Sequence, residues 1–370
     1  MNHKYITPRR TMTLTDSTAY GNYALAFVEH RQPITRIRQM RYPYRSWKRS
    51  MFLAGLVSLL LIRPDPVAAL DAPQSWELRK STIIDLPRSH PAASYLPDLI
   101  KRLASGQGGG SPVSEVEFLA LFDRPESRTV YNNQLIKVAT PRSVAIQNKA
   151  HEDFSRVFLA EKRVKRGVAF LEEKKNLLDR AERTYGVAPK DIVSILMWES
   201  GLGEFTGNYR VFNVLVAQLL YLEEAQQAAV RRITAGGEAD PLTSAAVAER
   251  QQERFAKIRR RCVGNLVALL RHSKATGVDP LSLHGSWAGA IGYPQFMPAS
   301  MPHAADGDGD GEIDLHSWPD AIMSVAKYLN ERGKYGTADA ARRRAIFSYN
   351  PIDSYVNGVI KYAEAISKAR

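Results

Sequence analysis

The chain has 370 residues, 44% of them apolar, and a formal net charge of +13. That length and apolar share suit one large core or two modest ones, and they exclude a disordered or fibrous protein. The charge suggests nucleic acid only until it is located: residues 1–69 hold eleven Lys and Arg against three Asp and Glu, +8 of the total, so the remainder is only mildly basic.

Within 1–69, Arg41, Arg45, Lys48 and Arg49 precede the apolar run Met51 to Ile62, and Val67-Ala68-Ala69 follows. A basic stretch, a short apolar run and small residues form the pattern of a secretory signal peptide, so the chain is expected to be exported. Twelve apolar residues are short for a bilayer span, so no stable membrane span is expected after cleavage; an uncleaved anchor is the alternative. The leader is long for its kind, and a start at Met40 would shorten it. The only cysteine, Cys262, allows no intramolecular disulfide, and none lies beside the cleavage site for a lipid anchor. A soluble periplasmic protein is the expectation.

Residues 70–113 are rich in Pro, Ser and Gly and end in Gly106-Gln-Gly-Gly-Gly-Ser-Pro112, a composition that predicts a largely irregular segment. From 114 to 370 apolar residues recur at helical spacing and strand signals are sparse, which predicts a mainly α domain. A first helix is expected near 164–185, with Val168, Phe170, Leu171, Leu177, Leu178 and Ala181 on its apolar stripe, stopped at Tyr185-Gly186.

Ala188-Pro189-Lys190-Asp191 opens the next helix, which ends in Met197-Trp198-Glu199-Ser200-Gly201. A carboxyl group placed against Met197 and Trp198 is costly to ionise, so the pKa of Glu199 should rise toward the range of a general acid. A helix-terminal surface carboxylate is the plainer alternative. Glu204 is its nearest acidic neighbour, but five helical residues would turn it by about 140° from Glu199. Residues 223–261 are charged and Ala-rich around Gly236-Gly237 and Asp240-Pro241, which predicts a helical hairpin with solvated faces. Cys262 beyond it reads as a small core residue.

The stretch from His284 to Pro298 combines Gly285, Gly289 and Gly292 with Trp287, Tyr293 and Phe296, the composition of a compact loop where backbone approaches a partner closely. Faces such as Tyr293 and Phe296 stack on sugar rings, and Ser286 and Gln295 can hydrogen-bond hydroxyl or acetamido groups; simple packing of a turn is the alternative. Next, Asp306, Asp308, Asp310 and Asp314 stand at positions 1, 3, 5 and 9 of a calcium loop of the EF-hand kind, with Gly311 at position 6 and Glu312 at position 7. Position 12, where a bidentate Glu belongs, is Ser317; Asp320 can take that place if the loop is longer.

Three blocks in this order resemble the lytic murein transglycosylases, most closely the membrane-bound lytic transglycosylase B family: the Glu199 block, Gly285 to Pro298 with the acidic loop after it, and Tyr349-Asn350 through Tyr355. The resemblance implies a lysozyme-like helical catalytic domain over roughly 120–366, with a longer EF-hand-like calcium loop closed by Asp320. By the same resemblance Glu199 matches the catalytic acid/base, and Ser286 and Gln295 match polar residues that contact substrate. Tyr293, Phe296, Met297, Tyr349, Asn350 and Tyr355 match residues lining a glycan groove, while Asp306, Asp308, Asp310, Glu312 and Asp320 match the structural Ca2+ site. Many members carry Glu-Thr-Arg at the acid, where this chain has Glu199-Ser200-Gly201-Leu202-Gly203.

The implied activity is cleavage of peptidoglycan glycan strands between N-acetylmuramic acid and N-acetylglucosamine without water, by a single acid/base, in a monomer of the Gram-negative periplasm with no organic cofactor and no nucleic-acid partner. A hydrolytic muramidase and a non-catalytic peptidoglycan-binding protein are the alternatives.

Overall fold

The computed structural model describes residues 76–106, 110–141 and 157–370. The predicted leader and signal segment, 1–69, lies outside them, as do residues 107–109 of the Gly-rich stretch. The longer helices are α1 (Leu96–Ala104), α2 (Asn132–Ala139), α3 (Glu161–Glu173), α4 (Lys175–Tyr185), α5 (Pro189–Ser200), α6 (Val211–Leu220), α7 (Leu222–Ala235), α8 (Ala245–Thr276), α9 (Trp318–Glu331), α10 (Asp339–Tyr349) and α11 (Asp353–Lys368). Two-residue strands β1 (Tyr209–Arg210) and β2 (His284–Gly285) pair antiparallel, with Tyr209 opposite Gly285. The mainly α expectation holds. No helix among the described residues is long and apolar enough to cross a membrane.

Apolar residues sort into two cores. One joins α1, α2, α6, α7 and α8 to Leu281, Ile291, Phe296 and Leu315. The other joins α3, α4, α5, α9, α10 and α11 around Ile195, Leu196, Met197 and Trp198. Helix α5 belongs to the second core, whereas the strand and loop that follow it lead into the first.

The structure refines one expectation and corrects another. Turns and irregular chain make up most of residues 76–106 and 110–113, but a short helix at Lys80–Ile84 and α1 form within them and pack: Leu78, Leu99 and Leu103 are fully buried, and Arg271 of α8 donates to Ser105 Oγ at 3.2 Å. Leu96, Leu99 and Leu103 recur at i, i+3 and i+7, an apolar stripe that the Pro and Gly content of the whole segment concealed. The helix predicted at 164–185 is two helices, broken at Lys174 (φ −102°, ψ 18°). Glu172, Glu173 and Lys175 at the junction are exposed, so no packing resists the break.

The predicted hairpin forms from α7 and α8, whose second arm runs on to Thr276. Not all of its charges are solvated. Arg259 is buried, donates to Leu219 O at 3.0 Å and forks onto the Glu223 carboxylate, a bidentate pair that fixes α8 against α7. Cys262 is fully buried, which pushes its thiol up to about 11, so it is a core residue and no nucleophile at neutral pH.

Helix α5 is buried on every side from Asp191 to Ser200, so its polar groups need internal partners. Asp191 finds three: Arg342 Nε at 2.8 Å, Arg342 Nη2 at 2.5 Å and Tyr335 Oη at 2.5 Å, which tie the start of α5 to α10 and the turn before it. At the other end, α11 crosses so closely that a Cβ on Gly358 would lie 2.2 Å from the Trp198 ring. Replacing Gly358 by Ala is therefore expected to destabilise the fold by about 1–3 kcal/mol through overpacking. Thermal unfolding of the variant checks this; an unchanged Tm would show that the Trp198 contact is loose.

Candidate active site

Glu199 ends the last turn of α5, and the chain must leave the helix at once. Gly201 supplies the left-handed residue (φ +60°), with its N–H on Met197 O at 2.9 Å, and Leu202 follows at φ +55° with its N–H on Leu196 O at 3.1 Å. Ser200 staples the turn: its Oγ accepts from Gly203 N at 3.1 Å and its carbonyl from Phe205 N at 3.0 Å.

The Glu199 side chain is only 6% exposed. Burial pushes its pKa up to about 8, against a smaller opposing effect of the hydrogen bond that Tyr355 Oη donates to Glu199 Oε1 at 2.6 Å. Tyr355 itself is 1% exposed, and burial followed by the neighbouring carboxylate raises its pKa well above the usual tyrosine value, so it remains a donor. The Trp198 ring meets Tyr355 edge to face at 6.1 Å and lies 4.8 Å from Phe158. These rings pack behind Tyr355, which gives the buried Glu199 carboxyl its hydrogen bond.

Glu204 is not on the helix. Its carboxylate pairs with Arg163 Nη1 at 2.7 Å and with Arg166 Nη1, while Arg166 Nη2 donates to Leu202 O at 2.9 Å. The two acidic residues that flank Glu199 in sequence, Asp191 and Glu204, are thus both tied to arginines.

The loop predicted to bind sugars lies against this turn. β2 pairs with β1, Gln295 Nε2 donates to Thr206 O at 3.3 Å, and Gly203 abuts the rings of Tyr293 and Trp318. The loop folds on itself through Ser286 N to Ala290 O at 2.8 Å and a reciprocal Ile291–Phe296 pair at 2.8 and 3.0 Å. From across the site Tyr349 Oη donates to Pro294 O at 2.5 Å.

Most residues named from sequence therefore converge, but in different roles. Tyr293 is half-buried and stacked on Trp318 at 3.9 Å, which leaves it partly open for a ligand. Phe296 is 2% exposed and packs on Tyr328 and Tyr349, so it is the floor of the loop and has no face for a sugar. Ser286 is buried and its Oγ accepts from Ala290 N at 3.1 Å, and Gln295 spends its amide nitrogen on Gly292 O at 2.8 Å, so both brace the loop. Met297 and Tyr349 are half-buried. Asn350 is 2% exposed, and its Oδ1 has no protein partner.

In the acidic loop, Asp306, Asp308 and Asp320 each offer an oxygen within 4.8 Å of the others. Asp310 and Glu312 do not join them: Asp310 Oδ1 accepts from Glu312 N at 2.8 Å, and the Glu312 side chain is exposed. Asp320 closes the loop, accepting from Gly307 N at 2.6 Å and Asp314 N at 2.7 Å. Its pKa is raised by burial and then by the charges of Asp308 and Asp306, a strain that a hard cation held by the same oxygens would relieve. The donor set fits such an ion.

Sequence reading missed Trp318, Arg163 and Arg166. Trp318 stands two residues before Asp320, a local clue, whereas the two arginines on α3 carry no signal of their own.

Comparison with known proteins extends these observations. Residues 120–343, more than half of the chain, match the Transglycosylase SLT domain family. Over 187 residues the chain is 32% identical to membrane-bound lytic murein transglycosylase B of Escherichia coli, an alignment that covers 50% of this chain and 43% of that protein. The chain thus spans under half the length of that curated relative. Among solved structures, a soluble lytic transglycosylase of Pseudomonas aeruginosa superposes with a TM-score of 0.53 at 24% identity, covering 74% of this chain and 99% of that one. A lytic transglycosylase of Escherichia coli in complex with calcium gives 0.52 at 21% identity, covering 76% and 94%. The chain belongs to the Transglycosylase SLT domain family.

Proposed function

We propose that the protein is a lytic murein transglycosylase in which Glu199 serves alone as acid and base. The observation that carries this is the buried Glu199 carboxyl, held by Tyr355 beside a loop of glycines and aromatic rings in a chain of this family. A carboxyl with a pKa near 8 is protonated at neutral pH, so it can donate to the glycosidic oxygen between N-acetylmuramic acid and N-acetylglucosamine.

Ordinary glycosidases need a second carboxylate as base or nucleophile. Asp191 and Glu204 are engaged by arginines, and the aspartates of the acidic loop suit a cation, which favours assistance from the substrate itself. As the C1–O bond breaks, the proton of Glu199 goes to the leaving oxygen and the acetamido group supports the positive charge at C1. The muramyl 6-hydroxyl then attacks C1 and returns its proton to the Glu199 carboxylate. A 1,6-anhydro ring forms, Glu199 is restored and no water is consumed. Tyr293, Met297 and Tyr349 would line the glycan path; Ser286, Gln295 and Phe296 would hold the shape of the loop, and Asn350 Oδ1 would await a donor from the substrate.

Asp306, Asp308 and Asp320 would hold the Ca2+. When bound, the ion neutralises the carboxylates and orders the loop. The predicted signal segment supports export to the periplasm, where the protein would act on peptidoglycan strands as a monomer.

Four outcomes are expected. Purified peptidoglycan digested by the wild-type chain should yield 1,6-anhydro-muramyl ends by mass spectrometry, and the Glu199→Gln variant should release none; ordinary reducing ends would identify a hydrolase, and turnover by the variant would exclude Glu199 as the acid. The acid must be protonated in the free enzyme, so kcat/KM should be flat below pH 7 and fall as pH rises through about 8, and in Tyr355→Phe this limb should move upward because the bond favouring the carboxylate is gone. The same group sets a stability cost. Its folded pKa of about 8 lies above the unfolded 4.5, so the folded state loses stability as pH rises between these values, on the order of 3 kcal/mol by pH 7. Glu199→Gln should therefore melt higher than wild type at pH 7 and alike at pH 4. Finally, calcium at 100 times its Kd should raise stability by about 2.7 kcal/mol, and Asp320→Asn should lose that gain in thermal unfolding.

A further inference from the structure

Trp318 has no place in the chemistry above, yet it touches Tyr293 of the glycine and aromatic loop, Gly203 of the turn after Glu199 and Phe170 of α3. As the first residue of α9 it stands two positions before Asp320, so the loop that gathers Asp306, Asp308 and Asp320 also sets where its ring lies. That ring stacks on Tyr293 at 3.9 Å with 20° between planes, and it meets the Phe170 ring on α3 in a T-shaped contact at 4.7 Å. Gly203, four residues after Glu199, abuts both stacked rings so closely that a Cβ would lie 3.1 Å from each. The backbone repeats the link: Tyr293 N donates to Leu315 O at 2.8 Å, inside the exit of the acidic loop, and a Cβ on Gly292 would meet that same carbonyl at 2.3 Å.

The acidic loop and the half-buried Tyr293 ring are therefore one packed unit. We propose that Trp318 is a positioning residue that couples the cation loop to glycan binding: it holds Tyr293 in the orientation that receives a sugar only while Asp306, Asp308 and Asp320 are drawn together by a divalent cation.

Without a cation, three carboxylates within 4.8 Å repel one another, and the first turn of α9 carries that repulsion to Trp318 two residues away. A cation that orders the loop lowers the entropy cost of fixing Tyr293 on a sugar. Linkage then requires the converse, that bound glycan tightens cation binding by the same factor. A tryptophan that merely filled space in the core would produce neither effect.

The inference rests on the proposed glycan substrate and calcium site, and the test separates the two. In the full chain carrying Glu199→Gln, which leaves glycan intact, Ca2+ affinity is measured by calorimetry with and without a saturating soluble glycan tetrasaccharide of alternating N-acetylglucosamine and N-acetylmuramic acid. Calcium should bind at least about fivefold more tightly with glycan present, and the tetrasaccharide should show the same factor when calcium is varied. Adding Trp318→Ala should bring the ratio to one while calcium still binds, and Trp318→Phe, which keeps a stacking face, should retain part of it. Tyr293→Leu, which leaves the loop and Trp318 intact, should also bring the ratio to one, and it serves if Trp318→Ala fails to fold. Equal calcium affinity with and without glycan in the parent, or a full ratio in either Trp318→Ala or Tyr293→Leu, would overturn the coupling while leaving the proposed function in place. Failure of the parent to bind glycan or calcium at all would overturn both.

Discussion

The site depends on one constraint: a carboxylic acid that α5 carries into the interior with a single hydrogen-bonding neighbour among the described residues. Glu199 is 6% exposed and accepts one bond from Tyr355. Water would hold that carboxyl near its ordinary value of 4.5, but burial pushes it to about 8. An amphipathic surface helix could not do this. It requires a helix buried on every side, which in turn explains why Asp191 at its other end is tied down by Arg342 and Tyr335. A buried, partnered carboxylate at one end and a buried, almost unpartnered one at the other define α5.

The rest of the architecture keeps the glycine and aromatic loop close to that acid. Helix α5 ends in a left-handed turn at Gly201 and Leu202, held by Arg166 on the Leu202 carbonyl and by the Glu204 pairs. The turn feeds β1, β1 holds β2, and β2 opens the loop that carries Tyr293. The chain thus passes from the second core to the first within a dozen residues of the acid, and the loop from the first core folds back over it. This accounts for the Ser-Gly-Leu-Gly sequel to Glu199: small residues at 201 and 203 admit Arg163, Phe205, Tyr293 and Trp318 at contact distance.

Much of this was legible locally. The apolar run into Glu199, the Gly and aromatic loop and the spaced aspartates are patterns within fifteen residues each, and local spacing dictates their form. Asp320 as the proposed closing ligand came from resemblance, since no EF-hand spacing requires it. What the sequence hid was tertiary. The Tyr355–Glu199 bond spans 156 positions, and the stack of Tyr293 on Trp318 depends on how an acidic loop returns to its own start. Phe296 looked like a sugar platform because an aromatic in a glycine-rich loop has the same signature whether it faces out or in. Burial decided it, and burial is not written in one residue. Helix α1 was missed for the opposite reason: its three leucines have helical spacing, but they sit in a segment whose overall composition resembles a linker.

The central claim, that a solitary buried carboxyl is protonated at neutral pH, is open to direct observation. Carbon-13 NMR of the chain labelled at glutamate Cδ, with the Glu199 signal assigned by its absence in Glu199→Gln, reports the titration of that one group. The account predicts a midpoint near 8. A midpoint near 4.5 would mean an ionised carboxylate at neutral pH, which could not serve as the acid.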